Sequence, residues 1–225
     1  MGKMTLSVLT FNKKTGVFAA AAATGNLCVG GWVLRGDIES GLVASQGTSP
    51  STFWRDDIIR RMYEGKSSRL AIDEATGNDA GKGYRQVAAI DKNGLPAAFT
   101  GIESIQYAGH LIGDNYVISG NMLKSREVLL AMEETLTKSI SLVGQQLIQI
   151  LSAGASKGGD TRGLKSAALL VFDPDRPPLD LRIDSHRSPI EALNELYETS
   201  QKAPYVNWLD EVPVLSNKMK WQEEK

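Results

Sequence analysis

The chain has 225 residues, 42% of them hydrophobic and 23% charged, enough apolar material for one globular domain with a sizeable core. Its 25 Lys and Arg nearly balance its 26 Asp and Glu, and no basic cluster interleaved with aromatics points to nucleic acid. The one cysteine, Cys28, excludes an internal disulfide and fits a reducing, cytoplasmic compartment. With only His110 and His186 beside it, no metal site of the Cys/His kind is expected, and the longest apolar run, Val17 to Ala23, is too short for a bilayer or a secretory leader.

Thr5 to Phe11 alternates loosely and reads as a strand. Asn12 to Gly16 is a polar turn ending in glycine, and Val17 to Thr24 is the returning strand of a hairpin. The five alanines Ala19 to Ala23 carry little side-chain volume, which predicts a strand buried on both faces with other layers packed close. Val29 to Leu34 and Gly41 to Gln46 are expected as two further short strands. Ser51 to Glu64, with Phe53, Ile58, Ile59 and Met62, reads as an amphipathic helix capped by Ser51 or Thr52, and Ser68 to Thr76 as a shorter one. Strands return at Tyr84 to Asp91, Pro96 to Gly101 and Tyr116 to Ser119, the first two joined by the turn Lys92-Asn93-Gly94.

Glu127 to Ala155 holds two helical segments broken near Ser139 to Ser141. Lys165 to Asp173 and Leu179 to Ile183 are strands, and Pro189 to Gln201 is a helix. This order predicts an α+β domain over residues 1–201, two mainly antiparallel sheets between helical layers. Residues 202–225 form a tail whose Tyr205, Trp208 and Trp221 lack local apolar partners. A homo-oligomer in which the tail packs on a neighbouring subunit follows.

Met4-Thr5-Leu6-Ser7-Val8 carries the sharpest chemical signal. A start at Met4, followed by removal of that methionine, leaves Thr5 with hydroxyl and α-amine on one residue. The amine, with an ordinary pKa of about 7.7 to 8.0, then serves as base for its own hydroxyl. The bland alternative is an ordinary threonine in an alternating strand. Gly2 and Lys3 precede Met4, so trimming Met1 alone leaves Thr5 blocked. Ser7, two residues on, shares a strand face with Thr5 and is placed to orient the amine.

Other polar islands fall where strands end. Gln46 and Thr48, in Ala44 to Pro50, are expected to face a cleft, against the plainer reading of a capping loop. Thr100 and His110 flank one connection, and Asn121, after Gly120, is a candidate oxyanion donor. The loop Gly158 to Ser166 offers Asp160 to orient the amine and Arg162 to bind an anionic substrate group, unless the pair merely stiffens a turn. The run Asp184-Ser185-His186 is weak as a triad, because neighbours on a strand point to opposite faces.

Taken in order, several islands resemble the family called domain of unknown function 1028, which is similar to N-terminal-nucleophile hydrolases. They are Met4 to Val8, Arg85-Gln86-Val87, Ala98 to Gly101, Ala108-Gly109-His110, Gly120 to Leu123, the Gly158 to Gly163 loop, Ser166 to Leu169 and Asp180-Leu181-Arg182. The resemblance implies a four-layer αββα sandwich and relatedness to enzymes that cleave amide bonds with an N-terminal nucleophile. Where such relatives carry Ala-Ser-Lys after the second strand, this chain has Ala23-Thr24-Gly25, so the role of that lysine is unassigned.

Two functions follow. The first is a cofactor-free hydrolase of a small amide or ureide-like molecule, with Thr5, Ser7, Asn121 and Asp160 in catalysis and Gln46, Thr48, Thr100, His110 and Arg162 on the substrate. The second is a non-catalytic oligomeric binding or scaffold protein of the same fold. Neither involves nucleic acid or membrane.

Overall fold

The computed structural model describes residues 4–138, 143–158 and 163–221. Strands β1 (Thr5–Asn12) and β2 (Val17–Thr24) form the first hairpin, followed by a one-turn helix α1 (Val29–Trp32), β3 (Leu34–Asp37) and β4 (Gly41–Gly47). Helices α2 (Thr52–Tyr63) and α3 (Ser68–Thr76) lead to β5 (Arg85–Asp91), β6 (Pro96–Thr100), β7 (Tyr107–Gly113) and β8 (Tyr116–Leu123). Then come α4 (Glu127–Lys138), α5 (Val143–Gly158), β9 (Ser166–Asp173), β10 (Arg176–Ile183), α6 (Pro189–Ser200) and α7 (Tyr205–Leu209). The fold is mixed α+β, with two sheets of order β10-β9-β2-β1-β8-β7 and β3-β4-β5-β6. Every strand pairing is antiparallel.

Side-chain alternation assigns each strand face to a core. Leu6 and Val8 of β1 and Ala19, Ala21 and Ala23 of β2 pack against α5, in one core cluster with residues of α4, over β7 and β8, and of α6, over β9 and β10. The alternate residues Leu9, Ala20 and Ala22 face the second sheet, meeting Leu42, Ala44, Ala88 and Ile90. On the far side of that sheet, Val43, Val87 and Ala89 pack on Trp54 and Ile58 of α2 and Ile72 of α3. The alanine strand therefore lies between two cores, wholly buried, and its small side chains let both neighbours approach. Gly154 does the same from the helix side: a Cβ there would come within 2.8 Å of Met132 and 3.1 Å of Leu6. Ser51 and Ser67 cap α2 and α3 through their hydroxyls, which accept from the Trp54 and Leu70 amides.

Three sequence expectations need correction. Val29 to Leu34 is not one strand: Cys28 takes a left-handed conformation, φ 60°, and opens α1 before β3 begins at Leu34. The glycines decide this, since a Cβ on Gly30 would sit 2.9 Å from that of Ala168; the apolar run looked β-forming only because its packing partner is remote in sequence. Gly120 and Asn121 lie inside β8, which runs on to Leu123, and β7 is an unanticipated edge strand whose register shifts between Tyr107 and Gly109. On α2 the buried face carries Trp54, Arg55, Ile58 and Met62, while Phe53 is 79% exposed. The expected break near Ser139 to Ser141 lies outside the described residues.

Candidate active site

At one end of the space between the sheets the facing side chains turn polar. Thr5 and Ser7 continue the Leu9 face of β1, Thr24 that of Ala22 on β2, and Ser119 and Asn121 that of Val117 on β8. Opposite them, Gln46 continues the Ala44 face, Gln86 the Ala88 face and Thr100 the Ala98 face. In register, Thr5 stands between Thr24 and Asn121, and Ser7 is paired with Ser119.

The Thr5 hydroxyl lies 3.0 Å from Thr24 Oγ1. Thr24 in turn donates to the Met4 carbonyl at 2.9 Å, and a carbonyl can only accept, so the Thr5 proton points to Thr24. The Met4 carbonyl also accepts from the Gly25 amide at 3.1 Å.

Gln86 organises the other side. Its Nε2 faces the carbonyls of Gly109 and Gly120 at 2.9 and 3.1 Å, two groups that only accept, which fixes the orientation of its amide. Gln86 Oε1 consequently accepts from Gln46 Nε2 at 2.7 Å and, in a longer bond, from Asn121 Nδ2 at 3.4 Å. Gln86 Nε2, its two N–H groups shared among three acceptors, also lies 2.9 Å from Thr100 Oγ1, which is 2.8 Å from His110 Nδ1. Burial, with the Arg69 charge second, holds His110 below its ordinary pKa of 6.5, so the ring is neutral at neutral pH. One glutamine thus joins the two sheets across the interior.

This region carries buried polar atoms with no hydrogen-bond partner among the described residues: Ser7 Oγ, Gln46 Oε1, Thr48 Oγ1, Ser119 Oγ and Asn121 Oδ1. Each such buried atom costs on the order of 1–3 kcal/mol, and stability alone gives no reason to gather them. Beside them opens a cleft of about 800 Å³, lined by Thr5, Thr24, Gln46, Gly47 and Thr48 and rimmed by Leu27, Trp32 and Ile105. Gly47 has φ +134°, and a Cβ there would lie 2.6 Å from the Tyr84 carbonyl; only glycine lets β4 close against β5 at the wall.

Of the residues anticipated from sequence, Thr5, Gln46 and Thr48 meet at this cleft. Asn121 is the strand neighbour of Thr5 and is wholly buried, and Ser7 lies one step further in at 1% exposure. Thr100 and His110 are linked to the cleft through Gln86 and then Gln46, and line a second, smaller pocket of about 370 Å³. Asp160 and Arg162 lie outside the described residues. His186 accepts the Ser188 amide at 3.0 Å in an exposed turn. Among the described residues no three His, Cys, Asp or Glu side chains gather to hold a metal ion.

Sequence reasoning missed the parts played by Thr24 and Gln86. A signal existed for both: Gln86 interrupts the inward face of an otherwise apolar strand, and Thr24 ends a run of alanines on the face it shares with Thr5.

The chain belongs to the family of unknown function DUF1028, whose model matches residues 5–193. It is similar to protein SPO2555 from Silicibacter pomeroyi, a DUF1028 protein whose crystal structure superposes with a TM-score of 0.93 at 43% identity, covering 99% of this chain and 97% of that one. No curated protein matches. No described helix is long and apolar enough to cross a membrane.

Proposed function

We propose that this DUF1028 chain has the four-layer αββα architecture of an N-terminal-nucleophile hydrolase and cleaves a C–N bond, amide or ureide-like, in a small molecule. Thr5 is the nucleophile once the bond before it is cut. The observation that carries the reading is the Thr5 hydroxyl, lining the cleft and already hydrogen-bonded to Thr24 at the start of a central strand. The freed α-amine takes the hydroxyl proton as Thr5 Oγ1 adds to the substrate carbonyl. The amine returns that proton to the leaving nitrogen as the C–N bond breaks. Water then attacks the ester left on Thr5, restoring the hydroxyl and releasing the acid.

Asn121, beside Thr5, is assigned to the oxyanion, for which its amide gives up the long bond to Gln86. Ser7, on the same face one step further in, orients the amine. Asp160 and Arg162 carry no step of this proposal. The intact mass of the protein made in its own host tests it: a chain beginning at Thr5 supports the enzyme, and one that keeps Met4 contradicts it.

One observation favours a second reading. Met4 is 2% exposed, its side chain is part of the core beneath α4 and α5, and its carbonyl accepts two hydrogen bonds. A methionine held this way is worth about 2–5 kcal/mol of stability, which favours a chain that keeps it and uses the cleft for binding alone. We also propose a homo-oligomer, because Trp208, Met219 and Trp221 are 53%, 85% and 70% exposed in the tail, and a cytoplasmic location, because a single free cysteine, Cys28, fits a reducing compartment. A monomeric mass in light scattering well above micromolar concentration would contradict the oligomer.

A further inference from the structure

The loop 101–106, which joins β6 to β7, lines the second pocket of about 370 Å³. The loop is tied down at its start: the Gly101 amide donates to the Arg85 carbonyl and the Glu103 amide to the Gly83 carbonyl, both at 2.8 Å. Its end is strained. Gln106 takes a left-handed conformation, φ 61°, and the register of β7 shifts just beyond it, between Tyr107 and Gly109. A non-glycine residue held this way costs on the order of 1–3 kcal/mol, and such strain and bulges gather where a side chain has to be aimed.

Two donors point from this loop and strand without an acceptor among the described residues. Ser104 Oγ is buried and bonded to none of them. The Thr100 hydroxyl stands between Gln86 Nε2, a nitrogen that only donates, and His110 Nδ1, so its proton goes to Nδ1. The neutral His110 ring then carries its own hydrogen on Nε2. Ser104 and His110 both line the pocket, together with Tyr107 and Ile102. The positive charge of Arg69, on α3 beside β6, reaches His110. Glu103, the one acid of the loop, is packed on Gly83 and accepts from the Tyr84 hydroxyl.

From these groups we infer that the pocket is a second binding site, separate from the cleft, and takes a small carboxylate with an apolar body. One carboxylate oxygen accepts from His110 Nε2 and the other from the Ser104 hydroxyl, while the body lies against Tyr107 and Ile102, the latter 96% exposed. Bonds to an ionised acceptor are roughly twice as strong as those to a neutral one, and the Arg69 charge favours the anion further. A neutral amide brings only one acceptor for two donors. An ammonium meets donors and a like charge, and inorganic phosphate leaves the apolar wall uncovered. The inference stands on these groups alone and is independent of the reaction proposed at Thr5.

Titration of the full chain with benzoate, followed through the backbone amide signals of Ser104, Tyr107 and His110 in nuclear magnetic resonance spectra, tests it. Benzamide, benzylamine and inorganic phosphate are titrated alongside. Benzoate should shift the three signals saturably and bind at least about fivefold more tightly than any of the others. Ser104→Ala should weaken benzoate about tenfold and, because the hydroxyl bonds to no described residue, leave the melting temperature in place. The inference is overturned if benzoate leaves the three signals unmoved or if another of the compounds binds as tightly. It is equally overturned if Ser104→Ala melts lower or binds benzoate unchanged.

Discussion

The two ends of the space between the sheets are built by the same strands and differ in everything but backbone. At one end Leu9, Phe18, Leu42, Ile90 and Val117 interlock as ordinary core. At the other, four to six residues along the same faces, stand Thr5, Thr24, Gln46, Gln86 and Asn121, with several polar atoms unpartnered among the described residues. An apolar end holds the sheets together wherever shapes fit. A polar end holds them only where donors and acceptors align, which fixes position rather than maximising stability. Six strands switch character at the same level, and that level is where the cleft opens.

The contrast breaks most sharply at Thr5. In processed protein, Thr5→Ala should lower turnover by a factor on the order of ten thousand or more, with a stability loss of only about 1 kcal/mol for the lost hydrogen bond. Leu9→Ala, on the same strand face, should do the reverse. It should cost about 2–5 kcal/mol in urea unfolding and leave the kinetics of the folded fraction near normal.

Gln86→Leu lies between these. It strands the Gly109 and Gly120 carbonyls and the Gln46 amide, so a loss of roughly 2–3 kcal/mol is expected, together with reduced turnover. If Gln86→Leu were neutral in both measurements, the polar end would be filler rather than a positioning device.

The smallest effect is one of pH. Folding holds His110 below its ordinary 6.5, so the unfolded chain takes up the proton first as pH falls. This contribution to stability is present above 6.5, declines as pH drops through that value and levels off below the folded pKa. His110→Gln should flatten melting temperature against pH between about 7.5 and 5.5 relative to the unsubstituted chain.

Local chemistry was legible in the sequence wherever its partner was near in the chain. Ser51 and Ser67 cap the helices they precede, Gly16 turns the first hairpin, and the alanine strand announces its double burial. Thr5, Gln46 and Thr48 could be singled out because each follows or opens an apolar run. What resisted reading depends on distant partners. The Gly30 to Ala168 contact bends an apparently β-forming segment, and Gln86 acquires meaning only when β7 and β8 bring two carbonyls to it. The α2 face was misjudged at Phe53 because Trp54 offered the larger area to bury, and burial set the helix rotation.

Covalent capture of the nucleophile tests the central claim most directly. Protein purified from its own host is treated with an acylating β-lactone, digested and mapped by mass spectrometry. The account predicts a single adduct on the Thr5 hydroxyl of a peptide whose first residue is Thr5, absent from Thr5→Ala. A Thr5 peptide that still carries Met4 and remains unmodified would contradict it.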